Sequence, residues 1–488
     1  MNDLISKTAK KIAVDYCRLS IVRNADGFLA RDEVAHALDE SCGLHIVKGS
    51  NLALRIHYEL EYKQHETERF VYLCDNTDSL VPDMVAAAYV TAFDVADLFP
   101  LFADKSILYG LDLETLTIIH QRSRLKRLNM AECMELVNEV RREVTDRRKK
   151  SLEALTTRIN ELCPDWSAHA DQGISAVSRV MVEAIRQGVY EGIDQKIQTL
   201  NEHFQWWIDK SYFGMLNSNA LLHPKSVNRI LPHIQANHSN DDLVALIVVD
   251  GLSYWQYAVL REYMAKAGVE VIDGTTLAWI PTITMLSRQA IFRGDIPQTD
   301  YKQSPANEQK LWFDYWTQHS MAQSEVQYLS DKDEFAVTEG VKRLAYVTVE
   351  MDEKMHASTD YRDLLSLTDN WCPRITEKIQ VMRRMGYRIY LTTDHGSVLS
   401  HGWRPISQVE KVFLYKDGSR GKRHLIYTDV RQKEAFYKAH HEDVSLLSHD
   451  KWLAARTNFC FARSGTQEIT HGGSHLWEVI IPFITINQ

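Results

Sequence analysis

The sequence predicts an α/β protein whose second half forms a mostly parallel sheet with helices on both faces, after a small α/β unit and a helical middle region. Helical stretches separate most of four short apolar runs rich in β-branched residues, which lie at 243–249, 344–349, 387–393 and 479–486. Apolar strands that alternate with helices indicate a sheet that is buried on both faces. A chain of 488 residues also exceeds one ordinary hydrophobic core, so we expect two or three domains.

The first two predicted domains are an α/β segment at 1–100 and a helical domain at 101–238. Within the first, RFVYLCDN (69–76) has the composition of a strand and VAAAYVTAFDVADLF (85–99) that of a helix. In the second, apolar residues recur at helical spacing on one face: Cys133, Leu136, Val137, Val140 and Val144. Two prolines and a polar end in 221–241 place a boundary near 238, so the third domain is 239–488.

Composition indicates a folded protein of a reducing compartment. Hydrophobic residues make up 45% and charged residues 25% of the chain, and the net charge of −9 gives no whole-chain reason for nucleic-acid binding. The seven cysteines lie far apart without a Cys-x-x-Cys pair, which favours free thiols. The N-terminus is a poor signal peptide, and no apolar stretch reaches the roughly 18 residues of a membrane span. We therefore predict a cytoplasmic protein without a membrane partner.

Carboxylates and histidines lie where the predicted strands end. Each of the first three strands is followed by an acidic group and the fourth is preceded by a histidine; these residues are Asp250, Asp352 with His356, Asp394 with His395, and His471. Any one of them is more often a turn or a surface pair. Chemistry in such sheets collects at the carboxyl ends of the strands, so together they predict a site. Oxygen and imidazole donors suit zinc, manganese or iron.

A hydroxyl for nucleophilic attack occurs in PTITMLSR (281–288), between the first and second of these strands. The residues Leu277 to Ile280 before it suggest another short strand, so Thr282 or Thr284 begins a helix. The helix N-terminus favours a phosphate, and a bound divalent metal lowers the pKa of the hydroxyl. Either threonine could instead only cap the helix, and spacing alone does not separate the two.

Five motifs in one order resemble the alkaline phosphatase superfamily and, within it, the PglZ family. They are VVDG (248–251), PTITMLSRQAIFRGDIP (281–297), MDEKMH (351–356), TTDHG (392–396) and THGGSHLWEVIIP (470–482). The resemblance implies an alkaline-phosphatase-like fold and two metal sites. It assigns Asp250, Thr284, Asp394 and His395 to one metal, and Asp352, His356 and His471 to the other. It also favours Thr284 over Thr282 as nucleophile, and His471 over its rival His475.

The same resemblance implies a metal-dependent phosphoryl-transfer hydrolase that uses two Zn²⁺ ions, or Mn²⁺. Two such ions about 4 Å apart hold the attacking and leaving oxygens in line, and Thr284 would form a phosphothreonine that water hydrolyses. PglZ proteins accompany phage-defence systems of the BREX kind, so we expect a phosphodiesterase acting on nucleic acid or a nucleotide, with defence proteins as partners. Arg288 or Arg293 could bind a phosphate oxygen, and both could equally be surface charges.

Two other functions stay open on the sequence. A phosphomonoesterase or phosphomutase has the same fold, but the segment 297–344 is too short for the inserted cap of the mutases. A metal-stabilised scaffold of a defence complex, with incidental catalysis, is the other. The densest basic stretches, 122–129 and 141–150, are more often solvated helix faces than nucleic-acid sites. The aromatic group 311–316 is more often core than a base-stacking surface.

Overall fold

The computed structural model describes residues 3–76, 80–162, 165–166, 170–216, 223–298, 300–415 and 422–487. Contacts within the chain divide it into two compact units, Met1–Lys150 and Ser151–Gln488. The helices of the predicted middle region fall into both units, and the three-domain division stays a prediction. None of the helices in the described ranges is long and apolar enough to cross a membrane.

The first unit contains a four-stranded sheet in which all pairs are parallel. Its strands are β1 (Leu19–Asn24), β2 (Leu44–Val47), β3 (Arg69–Cys74) and β4 (Tyr89–Phe93), in the order β2-β3-β1-β4. Its helices are α1 (Asp3–Ile12), α2 (Asp32–Cys42), α3 (Asn51–His57), α4 (Pro82–Ala86), α5 (Leu113–Arg122) and α6 (Met130–Asn160).

Two expectations for this unit have different outcomes. The strand predicted at 69–76 is present as β3, and the predicted face of α6 is buried at Cys133, Val137 and Val140. The helix predicted over 85–99 is wrong, because this segment contains the end of α4 and the whole of β4. Its aromatic and β-branched residues suit a strand beside β1, where Val90 pairs with Ile21. The sheet pairing outweighs the local helical pattern.

The second unit contains most of the strands and helices. Its strands are β5 (Val244–Val249), β6 (Val271–Ile272), β7 (Thr275–Leu277), β8 (Val326–Ser330), β9 (Arg343–Thr348), β10 (Arg388–Thr393), β11 (Val398–Gly402), β12 (His424–Ile426), β13 (Leu446–His449), β14 (Trp452–Ala455), β15 (Phe459–Cys460), β16 (Gln467–Thr470) and β17 (Ile480–Ile486). Its helices are α7 (Ala170–Arg186), α8 (Glu191–Trp207), α9 (Phe213–Met215), α10 (Ile230–Asn237), α11 (Tyr254–Lys266), α12 (Thr284–Arg293), α13 (Pro305–Gln318), α14 (Glu350–Ala357), α15 (Tyr361–Arg384), α16 (Gln408–Lys411), α17 (Val430–His440) and α18 (Leu476–Val479).

The main sheet of this unit is mostly parallel and covered by helices on both faces, as predicted. Its order is β6-β17-β10-β5-β9-β8, with β7 paired to β17, and β10, β5, β9 and β8 are parallel. Successive residues of β5 enter two different cores. Ala245 and Ile247 pack in the core that includes α7, α11 and α15, whereas Leu246 and Val248 pack in the core that includes α10, α12 and α13. The alternation of side chains along a strand explains this division.

The strand directions bring four predicted strand ends to one edge. The parallel strands β5, β9 and β10 end there, and β17 is antiparallel to β10, so β17 begins at that edge. Between β10 and β17 the chain inserts 398–470, which forms two further three-stranded sheets, β15-β11-β16 and β12-β14-β13.

Candidate metal centre

The residues that follow β5 and β10 meet at Thr284, where α12 begins. Asp250 follows β5, and Asp394 and His395 follow β10. The Nε2 atom of His395 lies 3.6 Å from Asp250 Oδ1 and 3.6 Å from Asp394 Oδ2. The hydroxyl of Thr284, the first residue of α12, lies 3.1 Å from the same Nε2 atom. The four residues assigned to the first metal therefore converge.

The other three predicted ligands form a second group beside the first. Asp352 Oδ1 lies 3.6 Å from His356 Nε2 and 3.8 Å from His471 Nε2. The His471 ring stacks on His395 with 3.8 Å between centroids, which joins the two groups. Asp352 also groups with Asp250 and His395, whose ligand atoms lie within 4.8 Å of one another. Asp352 is therefore shared between the two groups.

Gly251 permits Asp352, on α14, to lie close to Asp250. Its φ is +75°, in the left-handed region that favours glycine, and a Cβ atom there would lie 3.2 Å from the Cα atom of Asp352. A side chain at 251 would therefore push α14 away from Asp250.

The donor atoms fit divalent metals. No hydrogen bond from the described residues reaches three buried oxygens, Asp250 Oδ1, Asp352 Oδ1 and Asp394 Oδ2. Such unsatisfied carboxylate oxygens destabilise a fold unless a cation neutralises them. Four ligands at metal distances of 2.0–2.2 Å in a tetrahedron are separated by about 3.4 Å. The separations measured here, 3.1 to 3.8 Å, are of that size.

The close carboxylates and imidazoles shift one another's pKa. Burial and the neighbouring Asp250 and Asp394 raise the pKa of Asp352 to about 8. Burial, with His395 nearby, lowers the pKa of His471 to about 3. Burial alone would raise the pKa of Asp250, but the Arg288 guanidinium holds it below its usual range. The metal-free cluster therefore favours neutral imidazoles, the form that binds metal, and disfavours three ionised carboxylates together.

Thr282 and Thr284, which sequence spacing does not separate as candidate nucleophiles, have different surroundings. Thr282 is fully buried, and its hydroxyl donates to the Gly473 carbonyl (2.9 Å) and accepts from the Gly472 N–H (3.0 Å). Thr284 is half-buried and points to His395. The geometry is that expected of Thr284 as nucleophile, a role that stays a prediction. The strand predicted at 277–280 is shifted, because β7 ends at Leu277, where it pairs with the start of β17.

His475, the alternative to His471 as a metal ligand, caps a helix. His475 is fully buried and caps α18, where its Nδ1 accepts from the Trp477 N–H at 3.2 Å. His471 is the histidine of this loop that lies beside Asp352.

Arg288 is a buried counter-ion and does not face the cleft as a phosphate-binding group. It donates to Asp250 Oδ2 at 2.7 Å and to Glu308 Oε2 at 2.6 Å, and the Tyr328 hydroxyl also donates to Glu308. Arg293 lies at the partly exposed end of α12. Glu308 was not anticipated, because nothing in its local sequence marks an acidic residue of α13 as buried.

A cleft of about 710 Å³ opens over Thr284, His356 and His471. Residues 300–303 line one part of it, and the insertion 398–470 contributes others, which are Tyr415, Lys422, His424, Glu468 and Thr470. The segment 297–344 is too short for the cap of the mutases, but the insertion 398–470 also borders the cleft.

The basic stretches have the surroundings of solvated helix faces, and the aromatic group has those of a hydrophobic core. Arg147 pairs with Glu114 at 2.6 Å and Arg122 with Glu143 at 2.6 Å, all within the first unit. The aromatic group 311–316 lies in α13, with Trp312 and Trp316 in the core.

A mostly parallel sheet with helices on both faces, and with carboxylates, imidazoles and a threonine at one edge, is the architecture of the alkaline phosphatase-like hydrolases. The family model for the BREX system PglZ alkaline phosphatase-like domain matches residues 229–486, more than half of the chain. The chain therefore belongs to the PglZ family.

Solved structures give weaker likenesses. Murine ectonucleotide pyrophosphatase/phosphodiesterase 5 matches with a TM-score of 0.35 and 12% identity, over 50% of this chain and 88% of that chain. Phosphonoacetate hydrolase from Sinorhizobium meliloti, in complex with phosphonoacetate, matches with a TM-score of 0.34 and 12% identity, over 50% and 89%. No curated protein sequence matches the chain.

Proposed function

We propose that this protein is a divalent-metal-dependent phosphodiesterase in which Thr284 attacks phosphorus. The observation that carries the proposal is the position of the Thr284 hydroxyl. It borders the cleft and lies 3.1 Å from His395 Nε2. That nitrogen in turn lies 3.6 Å from the unsatisfied oxygens Asp250 Oδ1 and Asp394 Oδ2.

Two sets of residues would hold the metals. Asp250, Asp394 and His395 would bind one ion with Thr284, and Asp352, His356 and His471 would bind the other. Zinc suits these donors best, with manganese as the alternative. When bound, such ions supply Lewis-acid stabilisation of the phosphoryl charge and lower the pKa of the nucleophile.

The reaction at Thr284 has two displacements. First, Thr284 Oγ1 forms a bond to phosphorus while the bond from phosphorus to one ester oxygen breaks, and that alcohol leaves. Then water attacks the phosphothreonine, the Thr284 hydroxyl is restored, and a phosphomonoester is released. Thr284 is the first residue of α12, and the N-terminus of a helix suits a developing negative charge.

Apart from the metal ions, whose charge attracts both kinds of substrate, the side chains of the cleft favour a diester over a monoester. Among the described residues that line it, the positive side chains are Lys302 and Lys422, and Lys422 pairs with Glu468. Arg288 is already paired with two carboxylates. A phosphomonoester carries about 1.5 to 2 negative charges near pH 7, whereas a diester carries one. The cleft also has room for a second ester arm.

The biological setting is part of the proposal. The family description names the BREX system, which supports a role in bacterial antiviral defence with nucleic acid or a nucleotide as substrate and defence proteins as partners. The described cysteines are free thiols, which supports a cytoplasmic location.

The test is hydrolysis by protein stripped with a chelator and then supplied with Zn²⁺ or Mn²⁺. We expect bis(p-nitrophenyl) phosphate to be cleaved faster than p-nitrophenyl phosphate, and only with metal. The Thr284→Ala variant is the control for contaminating phosphatases. Faster cleavage of the monoester would favour a phosphomonoesterase, and metal binding without any hydrolysis would favour a scaffold.

A further inference from the structure

The loop that carries His471 is held by buried polar side chains outside the predicted metal ligands. This loop, residues 471–475, connects β16 to α18. Three of its backbone N–H groups donate to buried side chains: Gly472 N–H donates to Thr282, and the Gly473 and His475 N–H groups donate to Glu478.

Thr282 makes three contacts with this loop. Its hydroxyl accepts from Gly472 N at 3.0 Å and donates to Gly473 O at 2.9 Å. Its carbonyl oxygen lies 2.8 Å from His471 Nδ1. A carbonyl can only accept, so Nδ1 carries the proton and Nε2 keeps its lone pair toward Asp352.

Thr282 also lies in the turn that presents the nucleophile. One residue, Ile283, separates it from Thr284, and the Ile283 N–H bonds the Pro281 carbonyl at 2.8 Å. The same short segment therefore orients the Thr284 hydroxyl and the His471 ring, although the two residues belong to different metal groups.

We propose that Thr282 is a positioning residue that couples the nucleophile turn to the second metal group. In this role its carbonyl holds His471 in the metal-binding tautomer, and its hydroxyl fixes the Gly472–Gly473 backbone that sets the position of the His471 ring. The proposal rests on the proposed function insofar as that function requires metal at Asp352, His356 and His471.

The other side of the loop has its own supports, so loss of the Thr282 hydroxyl leaves the loop folded. Glu478 accepts from Gly473 N at 2.7 Å and pairs with Arg423 at 3.0 Å. Gln205, on α8, donates to Ser474 O at 2.7 Å and accepts from Ser474 Oγ at 2.8 Å. Only the side of the loop that faces the nucleophile turn is released.

The variant that tests the coupling is Thr282→Val, which keeps the shape and the backbone carbonyl but leaves the Gly472 N–H without its acceptor. Metal-stripped protein is titrated calorimetrically with Zn²⁺. We expect affinity at the Asp352, His356 and His471 site to fall about 10- to 100-fold, the size of effect seen when the support of a metal ligand is disturbed, because the backbone after His471 loses both hydrogen bonds to the Thr282 hydroxyl. Thr282→Ser keeps the hydroxyl and serves as the matched control, with less than about a threefold change.

A second comparison separates coupling from general loosening. In a His471→Ala background, Thr282→Val should change Zn²⁺ affinity by less than about twofold, because the ligand that Thr282 orients is gone. An equal loss with and without His471, or equal affinity of the Val and Ser variants, would overturn the proposal. If Thr282→Val does not fold, Thr282→Ala makes the same comparison without a methyl group against Gly472.

Activity is measured separately so that the two proposals can fail separately. Wild-type protein that binds two metals but hydrolyses no diester would refute the proposed function, while the titrations would still decide the role of Thr282. If the enzyme is active and Thr282→Val leaves its metal affinity unchanged, only the positioning role is refuted.

Discussion

Replacing Arg288 by methionine tests the charge balance of the candidate metal centre. Arg288 is 4% exposed and bridges Asp250, 4% exposed, to Glu308, 0% exposed. Methionine fills a similar length but leaves two buried carboxylates without their shared cation. Breaking a buried ion pair on one side destabilises by about 3–5 kcal/mol. We expect that loss in the free energy of unfolding of the metal-free protein.

Two related variants sharpen the expectation. Glu308→Gln leaves Arg288 paired with Asp250, so it should cost less, about 1–3 kcal/mol. Combined with Arg288→Met, it removes one of the two orphaned carboxylates, and the double variant should be more stable than Arg288→Met alone. Arg293→Met, on the same helix at its partly exposed end, is the matched control and should stay within about 0.5 kcal/mol of wild type.

Urea unfolding followed by tryptophan fluorescence is the assay. All 11 tryptophans lie between 166 and 477, within the second unit, so the signal reports that unit. Saturating Zn²⁺ should restore part of the loss, because a cation beside Asp250 replaces the missing charge and binding stabilises the folded state. If Arg288→Met unfolds within about 1 kcal/mol of Arg293→Met, the argument from buried charge is refuted.

Three other variants or conditions test the site. Thr284→Ala should lose nearly all hydrolysis and still bind metal at Asp352, whereas Thr284→Ser should keep a measurable part; full activity of the alanine variant would move the nucleophile elsewhere. Burial beside acidic neighbours raises the pKa of Asp352 to about 8, so the folded metal-free protein retains a proton that the unfolded chain has lost. The stabilisation from this retained proton is lost as the pH rises through 8. The histidines with lowered pKa values change the pH dependence of stability only below about pH 6.5, where the unfolded chain protonates them. Burial also raises the pKa of Asp394, so between pH 6.5 and 8 we expect metal-free stability to fall by about 1.4 kcal/mol per pH unit or more. Saturating metal should remove the trend, and a rise with pH would contradict this. Charge reversal across 147–150 should leave cleavage of a small diester unchanged, and a loss of polymer cleavage alone would show that this run binds a nucleic-acid backbone.

The positions of the ligands could be predicted because they follow from local pattern and strand direction. Apolar runs of β-branched residues become buried strands, and parallel strands bring their carboxyl ends to one edge. Asp250 and Asp394 follow such strands directly, so they meet however the loops are arranged. His471 precedes its strand, and it joins them because β17 runs antiparallel to β10.

The helix predicted at 85–99 shows where local pattern fails. Its alanines fit a helix, yet Tyr89 to Phe93 pair with β1. An edge position beside an existing strand supplies backbone hydrogen bonds that are absent from any count of local propensity.

The sequence by itself determined the fold class, the strand ends that carry the candidate ligands, and the family. Only the tertiary structure showed the different surroundings of Thr282 and Thr284, paired Arg288 with Glu308, and brought the 398–470 insertion to the cleft. The physical reason is the range of the interactions. Strand and helix periodicity depends on neighbouring residues. The hydrogen bond from Thr282 to Gly473, in contrast, joins positions 191 residues apart. Local spacing does not determine which distant groups will meet.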